Sequence, residues 1–347
     1  MTDTSAPGKL LLVGEYAVLD GAPAITAAID VRARAKVVAI PGSESVFFDA
    51  LSGQAYYFVI DSNDGLRWVG EHPGDNGTIV QAVISSCVEH STLLDDGPSF
   101  RVSLNTDDFF TQIGTSWTKL GVGSSAAVLV ALVGALVAEL NLVMSPEELL
   151  AVCHTAHHRF QGGRGSGADV ATAVHGGVIA VRRGAEPQAI DVTRCSWPSG
   201  LSAVPIWSGV SASTPELLIR FEKFKADNPD DYRRHVRHLK ALAEQACVAW
   251  SEQSVIDILS ALAGYDDALR ALDDDAQIGI SIPAHAQIRQ LVERHGAVYK
   301  TSGAGGGDFG LALTDSTAIL DAIRVDCIDA GYAVLEKSFA VEGLAVS

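Results

Sequence analysis

Three glycine-rich segments, far apart in the chain, set the terms for any fold this sequence can adopt. The first is Ala6-Pro7-Gly8-Lys9, running into Gly14-Glu15-Tyr16; the second is Gly121-Val122-Gly123-Ser124-Ser125-Ala126-Ala127; the third is Ser302-Gly303-Ala304-Gly305-Gly306-Gly307-Asp308. From Gly303 to Gly307 no side chain exceeds a methyl group. Such a run is costly, because glycine loses more conformational freedom on folding than any other residue. A plain turn seldom needs it, and a flexible linker fits poorly between the apolar runs Ala297-Val298-Tyr299 and Phe309-Gly310-Leu311-Ala312-Leu313. Backbone that closely approaches phosphates does need it.

Around these segments the hydrophobic pattern predicts strands over 10–13 and 25–40 and a hairpin over 47–60 that turns at Ser52-Gly53. A polar, glycine-containing surface loop is expected over 61–77. Helical spacing follows at 78–90, a strand at 100–104, and helices at 124–140 and 146–160. The last of these starts with Ser145 as N-cap and Pro146 at the first helical position. A short helix at 169–174, a strand at 177–181 and a turn-rich stretch at 182–200 come next. Beyond lie a strand at 203–207, a series of helices from 215 to about 294, a strand-loop-strand around the third glycine segment, a helix at 316–329 and a strand at 332–335. Antiparallel pairs mixed with helices make the class α+β. The turn-rich stretch divides the chain into domains of 1–185 and 186–347.

Composition narrows the function. A net charge of −17 argues against nucleic acid and anionic membranes, which need a basic face. A phosphorylated substrate needs only a local cluster of cations and stays open. The 5 cysteines are odd in number, widely spaced and free of CxxC, so buried free thiols are expected rather than a disulfide framework or zinc knuckle. Met1-Thr2-Asp3-Thr4 has no basic region leading into an apolar stretch, so a cytoplasmic protein is expected. Residues 120–138 carry no charge, but they open with Gly-Val-Gly-Ser-Ser after Leu120, and the strictly apolar part is too short for a membrane span. A phosphate loop leading into a buried helix is expected there.

In Gly121 to Ala127, glycines at alternate positions permit positive φ, and the residues that follow open a helix whose free N–H groups and dipole favour a polyphosphate. Ser124 and Ser125 add hydroxyls, one of them for Mg2+. The pattern is not G-x-x-x-x-G-K-[ST], which excludes the Walker arrangement; taken alone, it also fits a helix start that merely packs. Lys9 stands at a strand edge, where it either offsets charge between phosphates or sits solvated at the surface. Glu15 either pairs with Lys9 or caps the turn. A fourth segment, from Ala156 to Ala171, places Asp169 after a glycine loop that contains Arg164, which is either a phosphate ligand or a loop-surface arginine. His154, His157 and His158 share a helical face, but nothing completes a compact zinc set. Ser211, Ser213 and Thr214 either hold an anionic group at a helix N-terminus or simply cap Pro215.

These motifs resemble the GHMP kinases. Pro7 to Leu19, Ala156 to Ala171 and Ser302 to Asp308 are most similar to the phosphomevalonate kinase branch, and the match in order and spacing runs from residue 6 to about 313. The resemblance implies two lobes, an N-terminal one like a ribosomal S5 domain and a ferredoxin-like C-terminal one. It implies MgATP held by Lys119, Gly121, Val122, Gly123, Ser124, Ser125 and Ala126, with Ser125 on Mg2+, and Lys9 with Asp169 at the reacting centre. The substrate set that goes with it is Lys9, Tyr16, His157, Arg164, Ser166, Gly167, Ser213, Ser302, Gly303, Ala304 and Gly305. Two departures stand out. His158 occupies the position where mevalonate kinases carry a glutamate, eleven residues before the aspartate. Ser116-Trp117-Thr118-Lys119 also lacks the proline of many relatives.

The first departure favours 5-phosphomevalonate as acceptor over mevalonate. A phosphate acceptor is mostly dianionic at neutral pH, with a second pKa of about 6, so it needs cations and no base. Lys9, Lys119, Arg159, Arg164, His157 and Lys300 are the cations in or beside the motifs. Asp169 would then orient Lys9. The alternatives are a mevalonate kinase, another small-molecule kinase of the family, or a nucleotide- or metabolite-binding sensor without turnover. A monomer and a homodimer are both compatible with the sequence.

Overall fold

The computed structural model describes residues 2–50, 52–61, 65–90, 98–113, 116–163, 165–184 and 189–347. Its first sheet is built on two strands, β1 (Thr2–Val13) and the long β2 (Ala24–Ile40). They run antiparallel, with irregularities at Pro7/Gly8 and Leu11/Val13. Proline cannot donate to a ladder, so it sits at the first irregularity, and a bulge there turns the strand and re-aims the residue that follows. That residue is Lys9.

The sheet continues with β3 (Ser45–Asp49), β4 (Gln54–Asp61), β5 (Gly65–Val69) and β6 (Ser99–Asn105). Helix α1 (Gly74–His90) lies between β5 and β6 in the chain. A small hairpin of β7 (Phe110–Ile113) and β8 (Ser116–Lys119) precedes α2 (Ser124–Glu139), α3 (Pro146–Phe160) and α4 (Ala168–His175). β9 (Val178–Arg183) and β10 (Ile190–Cys195) then return to the sheet. Its order is β10-β9-β2-β6-β3-β4-β5, with β1 on β2 and the C-terminal β15 (Ala345–Val346) on β1. Only β3 with β6 is parallel among these described pairs.

α2 is apolar on every face because it is buried on every face, packed between the sheet and its neighbouring helices. The Thr4 hydroxyl on β1 donates to the Ala131 carbonyl at 2.6 Å and ties the helix to the strand. α3 begins as its sequence dictates. Ser145 Oγ accepts from the Glu148 amide at 3.2 Å, and the Glu148 carboxylate accepts from the Ser145 amide at 2.8 Å, a reciprocal cap with Pro146 at the first position.

The second sheet, β12-β13-β11-β14, is formed by β11 (Ser202–Trp207), β12 (Val298–Thr301), β13 (Phe309–Thr314) and β14 (Ala333–Val334). Helices α5 (Thr214–Asp227), α6 (Pro229–Ser251), α7 (Val255–Ala276), α8 (Pro283–Glu293) and α9 (Thr317–Asp329) complete this half. α8 and α9 cover a separate apolar cluster under the sheet that includes Val204, Ile206, Ile288, Tyr299 and Ile323.

Two expectations need correction. Residues 61–77 are not all loop. β5 pairs with β4, Leu66 opposite Ile60, and buries Leu66 while Trp68 packs edge-on against Phe58. The stretch at 182–200 contains β10, which pairs with β9 in the first sheet, Val192 opposite Val181. Alternation with charged residues hid both strands, since each has one face open to solvent. Cys87, Cys153 and Cys327 are buried and Cys195 and Cys247 partly so, all as free thiols; burial pushes the Cys87 thiol up to about 12. No helix among the described residues is long and apolar enough to cross a membrane.

Candidate functional site

A cleft of about 760 Å3 opens where the two sheets meet, and all three glycine segments line it. Lys9 enters from β1. Its own amide donates to the Val122 carbonyl at 2.8 Å, so the strand is laced to the second glycine segment. Gly8 permits this approach, because a Cβ there would lie 2.7 Å from the same carbonyl oxygen.

On one side of the cleft stands the N-terminus of α2. Its N-cap, Gly123, has φ 86°, and no side chain caps the first turn. The orphan amides of that turn, with Ser124 and Ser125 beside them, form a site suited to a polyanion. A Cβ on Gly123 would come within 3.5 Å of Lys9 Cγ and 4.0 Å of Asp169 Cβ, so the two charged side chains flank this glycine. Lys119, exposed at the end of β8, lines the same wall.

Asp169 belongs to the first turn of α4. Its Oδ1 accepts from the Val170 amide at 2.9 Å, and His157 Nε2 lies 3.7 Å from its Oδ2. Burial pushes the carboxyl pKa up, but His157, Lys9 and the Val170 amide outweigh this and hold it below the usual carboxylate range. His157 is itself buried, and its Nε2 has no hydrogen-bond partner among the described residues.

The other side is the third glycine segment, stitched to the first. Ser302 Oγ donates to the Leu11 carbonyl and accepts from the Leu11 amide, each at 3.0 Å. The Tyr16 hydroxyl donates to the Ala304 carbonyl. Glu15 Oε1 accepts from the Lys300 ammonium and, at 3.3 Å, from the Gly303 amide. Behind the segment, Asp273 accepts from the amides of Gly279 at 2.7 Å and Ser281 at 2.8 Å, fixing the turn whose Ile280 carbonyl receives the Gly306 amide. Tyr16 and Asp308 both adopt left-handed backbone, φ 61° and 53°. For non-glycine residues such conformations cost about 1–3 kcal/mol each and persist where surrounding contacts over-determine them. Asp308 is held by its backbone, whose amide donates to the Val210 carbonyl at 2.7 Å and whose carbonyl accepts from the Ser208 amide at 2.9 Å, by the Ala212 amide on Oδ1 at 3.3 Å, and by Gly121, where an added Cβ would fall 2.2 Å from its Cγ. Burial raises its pKa, opposed by the Ala212 amide, Lys9 and Lys119.

The cleft thus brings together Lys9, Tyr16, Lys119, Gly121, Gly123, Ser124, Ser125, Ser166, Asp169, Ser213 and Ser302 to Gly305. Val122, Ala126, His157 and Gly167 lie behind this lining; Val122 contributes the carbonyl that Lys9 uses, and Gly167 begins α4 with φ 73°. Arg164 lies outside the described residues. Glu15 pairs with Lys300 and not with Lys9, and it does not cap the turn with its side chain. That pairing removes Lys300 from the cations facing the cleft. Arg159 is drawn away too, by Glu89 at 2.6 Å and Ser86 at 3.1 Å. Leu218 lines the cleft without any signal in the sequence; Phe160 and Gln161, which also line it, lie within the fourth segment, and Asp308 had a signal in its place directly after the glycine run. The Ser213 side chain makes no cap to α5, so the start of that helix also faces the cleft uncapped.

A family model described as GHMP kinases N terminal domain matches residues 108–177. A phosphomevalonate kinase from Streptomyces sp. (strain CL190) is similar at 29% identity over 98% of this chain and 97% of its own length. A mevalonate kinase from Thermococcus sibiricus (strain DSM 12597 / MM 739) is similar at 26% identity over 99% of this chain and 97% of its own. Streptococcus pneumoniae phosphomevalonate kinase, solved in complex with phosphomevalonate and AMPPNP, has a TM-score of 0.80 at 19% identity, covering 98% of this chain and 100% of that one. The last likeness shows the two-lobed α+β fold alone. Beside it, the family match within 108–177 and relatives similar over nearly the whole length make the chain similar to the GHMP kinases.

Proposed function

We propose that this chain transfers the terminal phosphoryl group of ATP to 5-phosphomevalonate, giving the 5-diphosphate. The observation that carries the reading is the position of Lys9 and Asp169 together beside Gly123, at the uncapped start of α2, within one cleft that also holds the start of α5. The α2 amides, Ser124 and Lys119 would receive the ATP phosphates. The donor set suits Mg2+, a hard cation that takes few protein oxygens when phosphates supply the rest. Ser125 and Asp169 offer such oxygens in the cleft, and when bound the ion would neutralise charge on the transferring group. Lys9 reaches the space between the two phosphate sites and stabilises charge there; Asp169 keeps Lys9 in place. Tyr16, Ser166, Ser213 and the Ser302–Gly305 backbone shape the acceptor side, with His157 acting from behind Asp169.

Two observations favour a phosphate acceptor over the neutral hydroxyl of mevalonate. The carboxyl of Asp169 is held below its usual range, whereas a general base works best with a pKa near the operating pH. His158 stands where the mevalonate kinases it resembles have a glutamate. The mevalonate kinase relatives support the second reading, a hydroxyl acceptor. Phosphorus NMR of the protein with ATP, Mg2+ and 5-phosphomevalonate tests the first. New diphosphate resonances that grow with ADP support it; an unchanged acceptor phosphate overturns it.

A further inference from the structure

The buried pair of Glu15 and Lys300 serves no step described so far, yet it joins the two segments that form the acceptor side. The side chain of Glu15 is 1% exposed and that of Lys300 is 0% exposed, and they are 285 positions apart in the chain. Burying two charges is unfavourable unless geometry and further hydrogen bonds compensate. Here the extra bonds all go to the same place. Lys300 also donates to the Thr301 carbonyl at 2.6 Å, one residue before Ser302. Glu15 Oε1 also takes the Gly303 amide. Its other oxygen, Oε2, is buried with no hydrogen-bond partner among the described residues, so Lys300 and Gly303 carry the whole neutralisation of this carboxylate. Tyr265 on α7 closes the arrangement. Its hydroxyl donates to the Glu15 carbonyl at 2.8 Å, and its ring centroid is 5.6 Å from the Lys300 ammonium. An apolar pair of similar volume would hold the turn after β1 to β12 without this cost, but it would not orient the Gly303 amide.

We infer that Lys300 and Glu15 are a positioning pair for the acceptor: they fix the Ser302–Ala304 backbone beside Tyr16, so that its polar groups meet the acceptor in one geometry, while the ATP side is unaffected. This rests on the reading of the cleft as a kinase site with an acceptor subsite along the third glycine segment. Neither residue touches the reacting atoms. A shift of the loop by about 1 Å would be enough to lose orientation, and misplacement of that size costs on the order of 10²-fold in rate.

The test compares Lys300→Met with the double variant Glu15→Gln/Lys300→Met, which removes both charges and leaves a glutamine oxygen for the Gly303 amide. Steady-state ADP release is titrated separately in ATP and 5-phosphomevalonate, and melting temperature is read with each ligand alone. The expected result is a KM for 5-phosphomevalonate raised about tenfold or more, with KM for ATP within about threefold. The thermal shift given by 5-phosphomevalonate is lost and that given by AMPPNP is kept. A double variant that melts like wild type and keeps its acceptor KM within about threefold overturns the inference. If both variants fail to fold, hydrogen exchange of the wild-type protein decides: a Gly303 amide protected before any ligand is added supports the pair, and one that exchanges as freely as an exposed loop overturns it. If wild type turns over mevalonate and not 5-phosphomevalonate, the acceptor assignment fails, and the same KM comparison on mevalonate still tests the pair.

Discussion

The two walls of the cleft are built on opposite plans. On the wall formed by the first and third glycine segments, the main polar side chains are already engaged by the protein. Ser302 is spent on Leu11, Tyr16 on Ala304, Glu15 on Lys300 and Gly303, and Asp273 on the turn behind. On the wall formed by α2 the groups are left open. No side chain caps the first turn, and Lys119 is exposed. The difference suits two kinds of ligand. A polyphosphate carries enough charge to organise amides and a flexible lysine around itself, whereas a small acceptor must be oriented by a surface that is already rigid. Lys9 stands at the junction, with its backbone tied to Val122 and its side chain beside Gly123 and Asp169.

The largest expected effect is at that junction. Lys9→Met should lower kcat by about 10²–10³-fold, the loss typical of removing one group that stabilises developing charge. Asp169→Asn should cost less, since here it orients the lysine. Single-turnover ADP release on both variants checks the order, and a severe Asp169→Asn beside a mild Lys9→Met would reverse the roles. Next comes the open wall. Gly121→Ala places a Cβ in the carboxylate of Asp308 and a side chain at φ 63°, a strain of about 1–3 kcal/mol. KM for ATP should rise about tenfold with little change for the acceptor, which titration of each substrate reads directly.

The stitched wall should respond in stability. Asp273→Ala removes the acceptor of two amides, Gly279 and Ser281. Urea unfolding should show a loss of about 1–3 kcal/mol, with the acceptor KM rising because Ile280 no longer supports Gly305 and Gly306. An unchanged midpoint would mean that water replaces the carboxylate without cost. The smallest effect concerns pH. The folded-state pKa of Asp169 is depressed, so its contribution to stability is present above the usual carboxylate value of 3.8 and is lost only as pH falls through the lowered one. Asp169 therefore gives no limb to activity between pH 5 and 8. A fall in kcat/KM below about pH 6 belongs to the second ionisation of the acceptor phosphate. Asp169→Asn should keep that limb, and its disappearance in the variant would assign the limb to Asp169.

What the sequence made legible followed short-range rules. The cap of Ser145 and Pro146, the buried α2 and the glycine segments are local patterns, and the structure places them as their spacing requires. What it hid depends on distant partners. β5 and β10 read as loop because each supplies only one apolar face, and they become strands by pairing with β4 and β9. Lys300 reads as a free cation because its partner is Glu15, in the opposite lobe. Asp308 is visible only as the end of a glycine run, and its contact with Gly121 exists only once the lobes meet.

The central claim is that this cleft phosphorylates a phosphate. The most direct measurement is kcat/KM for 5-phosphomevalonate and for mevalonate, side by side, by ADP release under the same Mg2+ and ATP. The account predicts turnover of 5-phosphomevalonate, with mevalonate giving no more ADP than a reaction without acceptor. Mevalonate turned over as well as or better than 5-phosphomevalonate would contradict it.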